Sequence, residues 1–482
     1  MKSDLLKDFF SYGTVGVLAK FVGLFTIPIY TRFLSKADFG ILEIISVLMV
    51  LLAFLSTFQL ESSFLRLFFE KKSLESKKKL FSTGLWIIIL GSILLSSILI
   101  AFNRSLSVLM LKSVEYQLLF VIAICELLFK NVLEYSVIVF RVEFNRKGYT
   151  SFNLIYVFFN AFSGILFVAI LQFGLLGLLI SRCFISIVFS FIALLKVKKY
   201  LSFKLSGSVL KEMLGYSIPL LPVVIVQWGQ KYISRVFIIV LFSLGQIGVY
   251  AIAAKVVLPL LLLTQSLKMA WHPYTFDNFE KEGSKELFND FYNIFSFVAS
   301  LIVIVLILFG KELLILFASE KFADSGYLIG ILAITYMFSG MSDLISTGIL
   351  IKKRNIVLTY SSVIGTSLGC FFMYYLSMKL GLLGIVIGEL IGEFVKYSIT
   401  AFLVKNIFVD YFKFSRTSIA LCVLVPASFI LNNGILSFNI DLFSKILLFL
   451  FLIGLLGMFY LFRNDSLNKR IKTLSNSLLT TL

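Results

Sequence analysis

The chain has 482 residues, 59% of them hydrophobic and only 15% charged, with a mean hydropathy of +0.99; so few polar groups cannot clothe a soluble domain. The net charge of +18 could suit nucleic acid, but bases beside membrane spans have the simpler task of setting orientation. The apolar runs are continuous over roughly twenty residues, which predicts spanning helices and excludes a barrel, whose strands would alternate over about ten.

In chain order the expected spans are 9–31, 40–62, 80–102, 116–139, 150–172, 175–195, 214–242, 247–270, 291–309, 327–350, 356–378, 382–404, 417–433 and 442–462. The first run is too long, and lacks the small-residue cleavage site, to be a removed signal peptide. With loops assigned alternately, most lysines and arginines fall on the side of the N-terminus, so both ends are expected in the cytoplasm. The loop RLFFEKKSLESKKKL alone holds six bases. All loops are short, and none has the grouped acids or histidines that a membrane glycosyltransferase or polymerase would need.

The first span closes on TIPIYTRFLSKADFG, Thr26–Gly40. SKADFG, from Ser35, aligns with SLGQIG, from Ser243. The chain therefore reads as a duplicated bundle of parallel repeats about an axis along the membrane normal. The N-lobe is 1–200 (helices 1–6), the C-lobe 201–410 (helices 7–12), and 411–482 adds helices 13 and 14 and a tail. Gly40 and Gly248 are expected to permit a tight turn into the second helix of each lobe. Pro28, late in helix one, and Pro219 and Pro222, early in helix seven, remove backbone donors and should bend those helices, either as gates or as packed kinks.

Charges at membrane depth are costly and normally face a bundle interior. The bases are Lys20, Lys130, Arg182, Lys231, Arg235, Lys255 and Lys396; the acids are Glu43, Glu61, Glu126, Glu134, Asp343, Glu389 and Glu393. Glu126, Lys130 and Glu134 share a helix face, as do Glu389, Glu393 and Lys396. Each set is either a self-neutralising ladder or a site where H+ or Na+ exchanges. Lys231, Arg235 and Lys255 have no acid within their own two spans, and Lys20 has none one turn away. They either pair with acids from other helices or hold an anion, for which a diphosphate suits the planar fork of Arg and the point charge of Lys. Trp228, one turn before Lys231, could stack on a sugar or simply pack.

Cys125, Cys183, Cys370 and Cys422 stand singly in apolar runs, so neither disulfide nor metal site is expected. His272 is the sole histidine, at the inner end of helix eight, where an interfacial cap is expected. No G-x-x-x-x-G-K-[ST] pattern occurs, which argues against direct ATP use; no catalytic residue, metal or cofactor is expected.

The segment PIYTRFLSKADFGILEIISVL, with Arg32, Leu34, Asp38 and Gly40, resembles the polysaccharide-biosynthesis membrane proteins. These are the flippases for lipid-linked oligosaccharides of the multidrug/oligosaccharidyl-lipid/polysaccharide exporter superfamily. Trp228, Arg235, Ile238, Gly248, Tyr250, Lys255 and the AWHPYTF ending are similar to theirs as well; where many members have an acid before the arginine, this chain has Ser234. The resemblance extends over the about 14 transmembrane helices placed above and implies a flippase, not an enzyme, moving a sugar on undecaprenyl diphosphate across a bacterial plasma (inner) membrane for O-antigen, lipopolysaccharide or capsule. It also implies H+ or Na+ coupling by alternating access, a polysaccharide polymerase and chain-length regulator as partners, and no nucleic acid. A lipid II flippase and a drug or cation antiporter are the alternatives.

Overall fold

The computed structural model describes residue 18 and residues 21–279, 281–352, 354, 356–407 and 442–461. Lys20 and the span expected at 417–433 lie outside them. All elements among the described residues are helical. Among the described residues, eight helical segments are long and apolar enough to cross a membrane, nine if a pair bent by 49° at Val257 forms one span. By internal contacts the chain divides into two units, Met1–Ala251 with Phe317–Lys321, and Ile252–Leu316 with Phe322–Leu482.

The first unit begins with α1 (Phe21–Phe33), α2 (Lys36–Thr57), α3 (Leu60–Glu70), α4 (Leu74–Ala101) and the short α5 (Asn103–Leu111). It continues with α6 (Gln117–Val142), α7 (Arg146–Ile165), which runs into a π turn at Leu166–Ile170, and α8 (Gly174–Lys196). α9 (Gly207–Ser217), α10 (Leu221–Leu241) and the first two turns of α11 (Leu244–Val256) complete it.

The turn before α2 is built by a capping box, not by glycine. Ser35 Oγ accepts from the Asp38 amide at 3.1 Å while the Ser35 amide donates to Asp38 Oδ2 at 2.8 Å. Ser243 and Gln246 repeat the arrangement before α11, at 3.4 and 3.1 Å. Two orphan amides are thus satisfied at each helix start. Gly40 and Gly248 lie inside α2 and α11 with ordinary helical backbone, which corrects their expected role as turn residues. A Cβ on Gly40 would strike the Leu244 carbonyl, and one on Gly248 the Lys36 carbonyl. The two glycines let α2 and α11 touch backbone to backbone.

The prolines act differently from one another. α1 continues as helix through Pro28. Expected helix seven is α9, a 3-10 turn at Ile218–Leu220 that holds Pro219, and α10. Pro222 sits in the first turn of α10, where no amide needs an acceptor. The expected span 40–62 also breaks: Phe58 and Gln59 adopt φ of 50° and 55°, ending α2 and redirecting the chain into α3. Such left-handed non-glycine residues cost roughly 1–2 kcal/mol each.

Aromatic packing fixes the base of this unit. Phe81 stacks on the fully buried Tyr135 at 5.2 Å between ring centroids, and Phe64 leans on both. Ser82 Oγ donates to the Tyr200 carbonyl at 2.8 Å and accepts from the Ser202 amide at 2.7 Å, tying the following loop down.

The second unit holds α12 (Leu258–Asn278), α13 (Ser284–Ala318), α14 (Gly326–Ile351), α15 (Ile356–Leu380), α16 (Leu382–Ile407) and α17 (Leu442–Leu461). Gly365 and Gly369 of α15 face Gly388 and Gly392 of α16, so closely that added methyls would meet opposing backbone. Lipid tails are as apolar as leucine, and close contact between small residues is what holds such helices together. Trp271 stacks on Phe291 at 4.2 Å and donates to the Leu344 carbonyl at 3.1 Å, fixing α12 to α14 and α13.

Candidate substrate and ion sites

Two of the candidate residues of α10, Trp228 and Arg235, meet α2. Trp228 Nε1 donates to the Val47 carbonyl at 3.1 Å; the indole is thereby spent on helix packing. Arg235 Nε donates to Glu43 Oε1 at 2.6 Å, with the two side chains only 14% and 16% exposed. Its guanidinium lies 5.4 Å from the ring centroids of both Tyr232 and Tyr250. Two aromatic faces and one carboxylate hold the cation where water is scarce.

Arg235 is therefore compensated: of the two alternatives for these bases, it takes the pairing with an acid from another helix. The partner comes from α2, 192 residues away. Ser234 is buried and shares a hydrogen bond of 3.2 Å with the Tyr250 hydroxyl. Lys231 is exposed, with its ammonium 5.2 Å from the Tyr232 ring centroid. Lys255 belongs to the second unit and is partly exposed.

The charges of α6 do not pair along one ladder. Glu126, 5% exposed, accepts from Arg182 Nε and NH2 of α8 at 3.3 and 3.2 Å. Lys130 turns to Glu134 at 3.9 Å. Between them Asn131 donates to Ser56 and Ser92 at 2.8 and 2.9 Å, binding α6 to α2 and α4. Glu126, Lys130, Glu134 and Arg182 border one cavity of about 240 Å³. Glu134 also borders a second, more polar cavity of about 350 Å³ with Glu61 of α3, Arg141, and Tyr149, Asn153 and Tyr156 of α7. Glu134 is the side chain common to the two.

In the second unit Lys396 pairs with Glu393 at 3.2 Å within α16, while Glu389, one turn earlier, has interactions of its own. Lys268 of α12 pairs with Asp343 of α14 at 3.0 Å. Sequence reading missed Lys268, whose signal was its position four residues before His272 at the end of an apolar run. The helix α12 runs on to Asn278, so His272 lies inside it and not at its end, and its Nε2 atom is buried without a hydrogen-bond partner among the described residues.

Solved structures share the architecture. The lipid II flippase MurJ in its inward closed conformation matches with a TM-score of 0.71 and 15% identity, covering 93% of this chain and 98% of its own. An inward-facing multidrug resistance MATE family transporter of the MOP superfamily matches at 0.61 and 16%, covering 82% of this chain and 94% of its own. The Vibrio cholerae MATE transporter VcmN in its bent form matches at 0.54 and 15%, covering 85% of this chain and 99% of its own. At these identities the likeness is one of fold. No curated protein matches in sequence. The model of the polysaccharide biosynthesis protein family matches residues 29–325, more than half of the chain and including both capping boxes and the Glu43–Arg235 pair, so this membrane protein belongs to that family.

Proposed function

We propose that the protein is a flippase that carries an oligosaccharide on a polyprenyl diphosphate, undecaprenyl being the expected lipid, from the inner to the outer leaflet of a bacterial plasma membrane. It works as a secondary transporter, not as an enzyme. Two lobes, 1–200 and 201–410, alternate access to a polar path, with helices 13 and 14 appended, both termini in the cytoplasm and H+ or Na+ exchange as the drive. The product feeds O-antigen, lipopolysaccharide or capsule assembly through a polymerase and a chain-length regulator.

The observation that carries this reading is Arg235, held between Tyr232 and Tyr250 while it donates from Nε to one oxygen of Glu43 and from Nη1 to the Lys231 carbonyl. A diphosphate offers the same guanidinium two oxygens and more charge, so it competes with Glu43 for the fork. Lys231, one turn away and exposed, supplies a mobile second charge; Lys255 and Lys20 are further phosphate contacts, and Trp228 can offer a sugar only the face its packing leaves open. The break at Pro219 and the Gly40–Gly248 crossing are the places where α10 and α2 can hinge, with Pro28 and Pro222 lending shape to the helices that carry them.

A second reading, transport of lipid II, is supported by the fold shared with MurJ. A drug or cation antiporter would hold its cargo on carboxylates, and the bases of α10 speak against it. The test is leaflet-resolved transport of a fluorescent polyprenyl-diphosphate oligosaccharide in proteoliposomes, with unlabelled lipid II as competitor. Transport lost in Lys231→Gln and Arg235→Gln and indifferent to lipid II supports the first reading; full competition by lipid II supports the second. Unaltered transport in Lys231→Gln, Arg235→Gln and Lys255→Gln removes the site.

A further inference from the structure

The first turn of α4, the close of α8 and the start of α9 bring together more bases than the acids beside them can occupy. Glu70 is held by Arg66 at 3.5 Å, Glu75 by Lys79 at 3.0 Å, Glu143 by Lys199 at 2.6 Å and Glu212 by Lys71 at 2.7 Å. Lys72, Lys196, Lys198, Lys204 and Lys211 stay exposed and form no ion pair among the described residues. The acid that Lys204 faces is Glu75, which Lys79 already holds.

The loop 197–206 among these bases is fastened to α4. Besides the two hydrogen bonds at Ser82, Trp86 Nε1 donates to the Ser202 carbonyl at 3.0 Å and the Ser206 amide donates to Thr83 Oγ1 at 3.3 Å. A loop so firmly placed nevertheless presents Phe203 91% exposed, its ring 5.8 Å from that of Trp86. The α4 face that carries Trp86 continues as the exposed Leu90, Leu94 and Ile98, a stripe suited to lipid. Phe203 therefore stands at the height where a bilayer begins. Four residues on, α9 bears an apolar groove of about 530 Å³ that runs from Gly207 to Pro219, with Lys211 as its one charged residue. Nothing lies within 4 Å of where a side chain would start on Gly207 or Gly215.

We propose that this surface binds an anionic glycerophospholipid of the leaflet that the base distribution assigns to the cytoplasm. The phosphate meets Lys204 and Lys211, one acyl chain lies in the α9 groove, and Phe203 and Trp86 sit among the headgroups. Charge chooses the ligand class: a zwitterionic lipid brings its own cation, whereas an anionic headgroup complements the unpaired lysines. A soluble acidic peptide matches the charge but leaves Phe203 and the groove without apolar cover. The site does not rest on the transport reading, since none of its residues belongs to the α10 cluster.

The test is quenching of Trp86 fluorescence by brominated lipids, with the full chain in phosphatidylcholine nanodiscs and the signal taken as the difference between wild type and Trp86→Phe. Brominated phosphatidylglycerol is expected to quench at a mole fraction about threefold lower than brominated phosphatidylcholine. Lys204→Gln combined with Lys211→Gln removes that preference and leaves quenching by phosphatidylcholine as it was, which shows that the loop has kept its place. Gly215→Leu, which fills the groove, weakens the preference with the lysines intact. Equal quenching by the two lipids in wild type overturns the proposal, as does a preference unchanged in both variants. Displacement of the brominated phosphatidylglycerol by inorganic phosphate would make this a free-anion site, by a polyprenyl diphosphate an entry point for the transported lipid, and by a polyglutamate peptide a protein dock. Each of those three outcomes likewise overturns it.

Discussion

Arg235 of α10 and Glu43 of α2 form a hydrogen-bonded ion pair at 2.6 Å in surroundings that leave each side chain about one-sixth exposed. Removing either partner strands the other charge. Arg235→Gln and Glu43→Gln should each lower stability by about 3 kcal/mol, and the double variant should regain much of that, because both charges are then gone. Thermal unfolding in detergent reads the cycle. If Arg235 also grips phosphate, the double variant recovers its melting temperature without recovering transport; equal recovery of both assigns the pair to packing alone.

The crossing of α2 with α11 makes a sharper steric prediction. Gly40→Ala and Gly248→Ala each place a methyl on an opposing carbonyl, and overpacking of this kind costs roughly 1–3 kcal/mol. Gly229, in the middle of α10, has open space where a methyl would go; there the same substitution should stabilise by about 0.5–1 kcal/mol through helix propensity. Opposite signs for one chemical change, measured by chemical denaturation, are the expected result. Tolerance of Gly248→Ala would mean the two helices do not meet at that residue.

The duplicated cap gives a third prediction. Ser35 and Ser243 do the same work with different partners, a carboxylate in Asp38 and an amide in Gln246. Ser35→Ala and Ser243→Ala should each cost about 1 kcal/mol. Asp38→Asn should be milder than Ser35→Ala, since the second repeat already caps with an amide. A much larger loss in Asp38→Asn would show that charge at the helix start matters more than the hydrogen bond.

Membrane class and helical fold were legible because each is written in local pattern, the length of the apolar runs; the repeat was legible as an alignment, but its serine caps were passed over for its glycines. What the pattern hid was partnership. A glycine two residues past Asp38 looks like turn punctuation until the backbone of α11 is seen lying on it. Arg235 looked unaccompanied because its acid lies 192 residues away, and membrane depth ranks candidate partners without choosing among them. Spacing along α6 suggested Glu126 for Lys130; it could not reveal that α8 brings a guanidinium, with donors in a fixed fork, to the same carboxylate. Glu61 was visible as a charge, but the backbone break that aims it into a cavity leaves no mark in a sequence with no glycine or proline there.

The last prediction separates the ladder that spacing suggests from the pairs that form. If Glu126, Lys130 and Glu134 neutralised one another along α6, losing Lys130 would unbalance both acids and be the most damaging change. In the observed arrangement Lys130 and Glu134 are 42% and 52% exposed and 3.9 Å apart, so Lys130→Gln should cost well under about 1 kcal/mol. Glu126→Gln instead removes the counter-charge of a guanidinium that donates twice to one oxygen. Glu126 is 5% exposed, and breaking such a pair from one side costs roughly 3–5 kcal/mol. Glu126→Gln with Arg182→Met should restore most of it, as an apolar side chain replaces the stranded cation. Denaturation of the four proteins therefore ranks Glu126→Gln far below Lys130→Gln; the reverse order would return α6 to a self-neutralising ladder and make the Arg182 contact incidental.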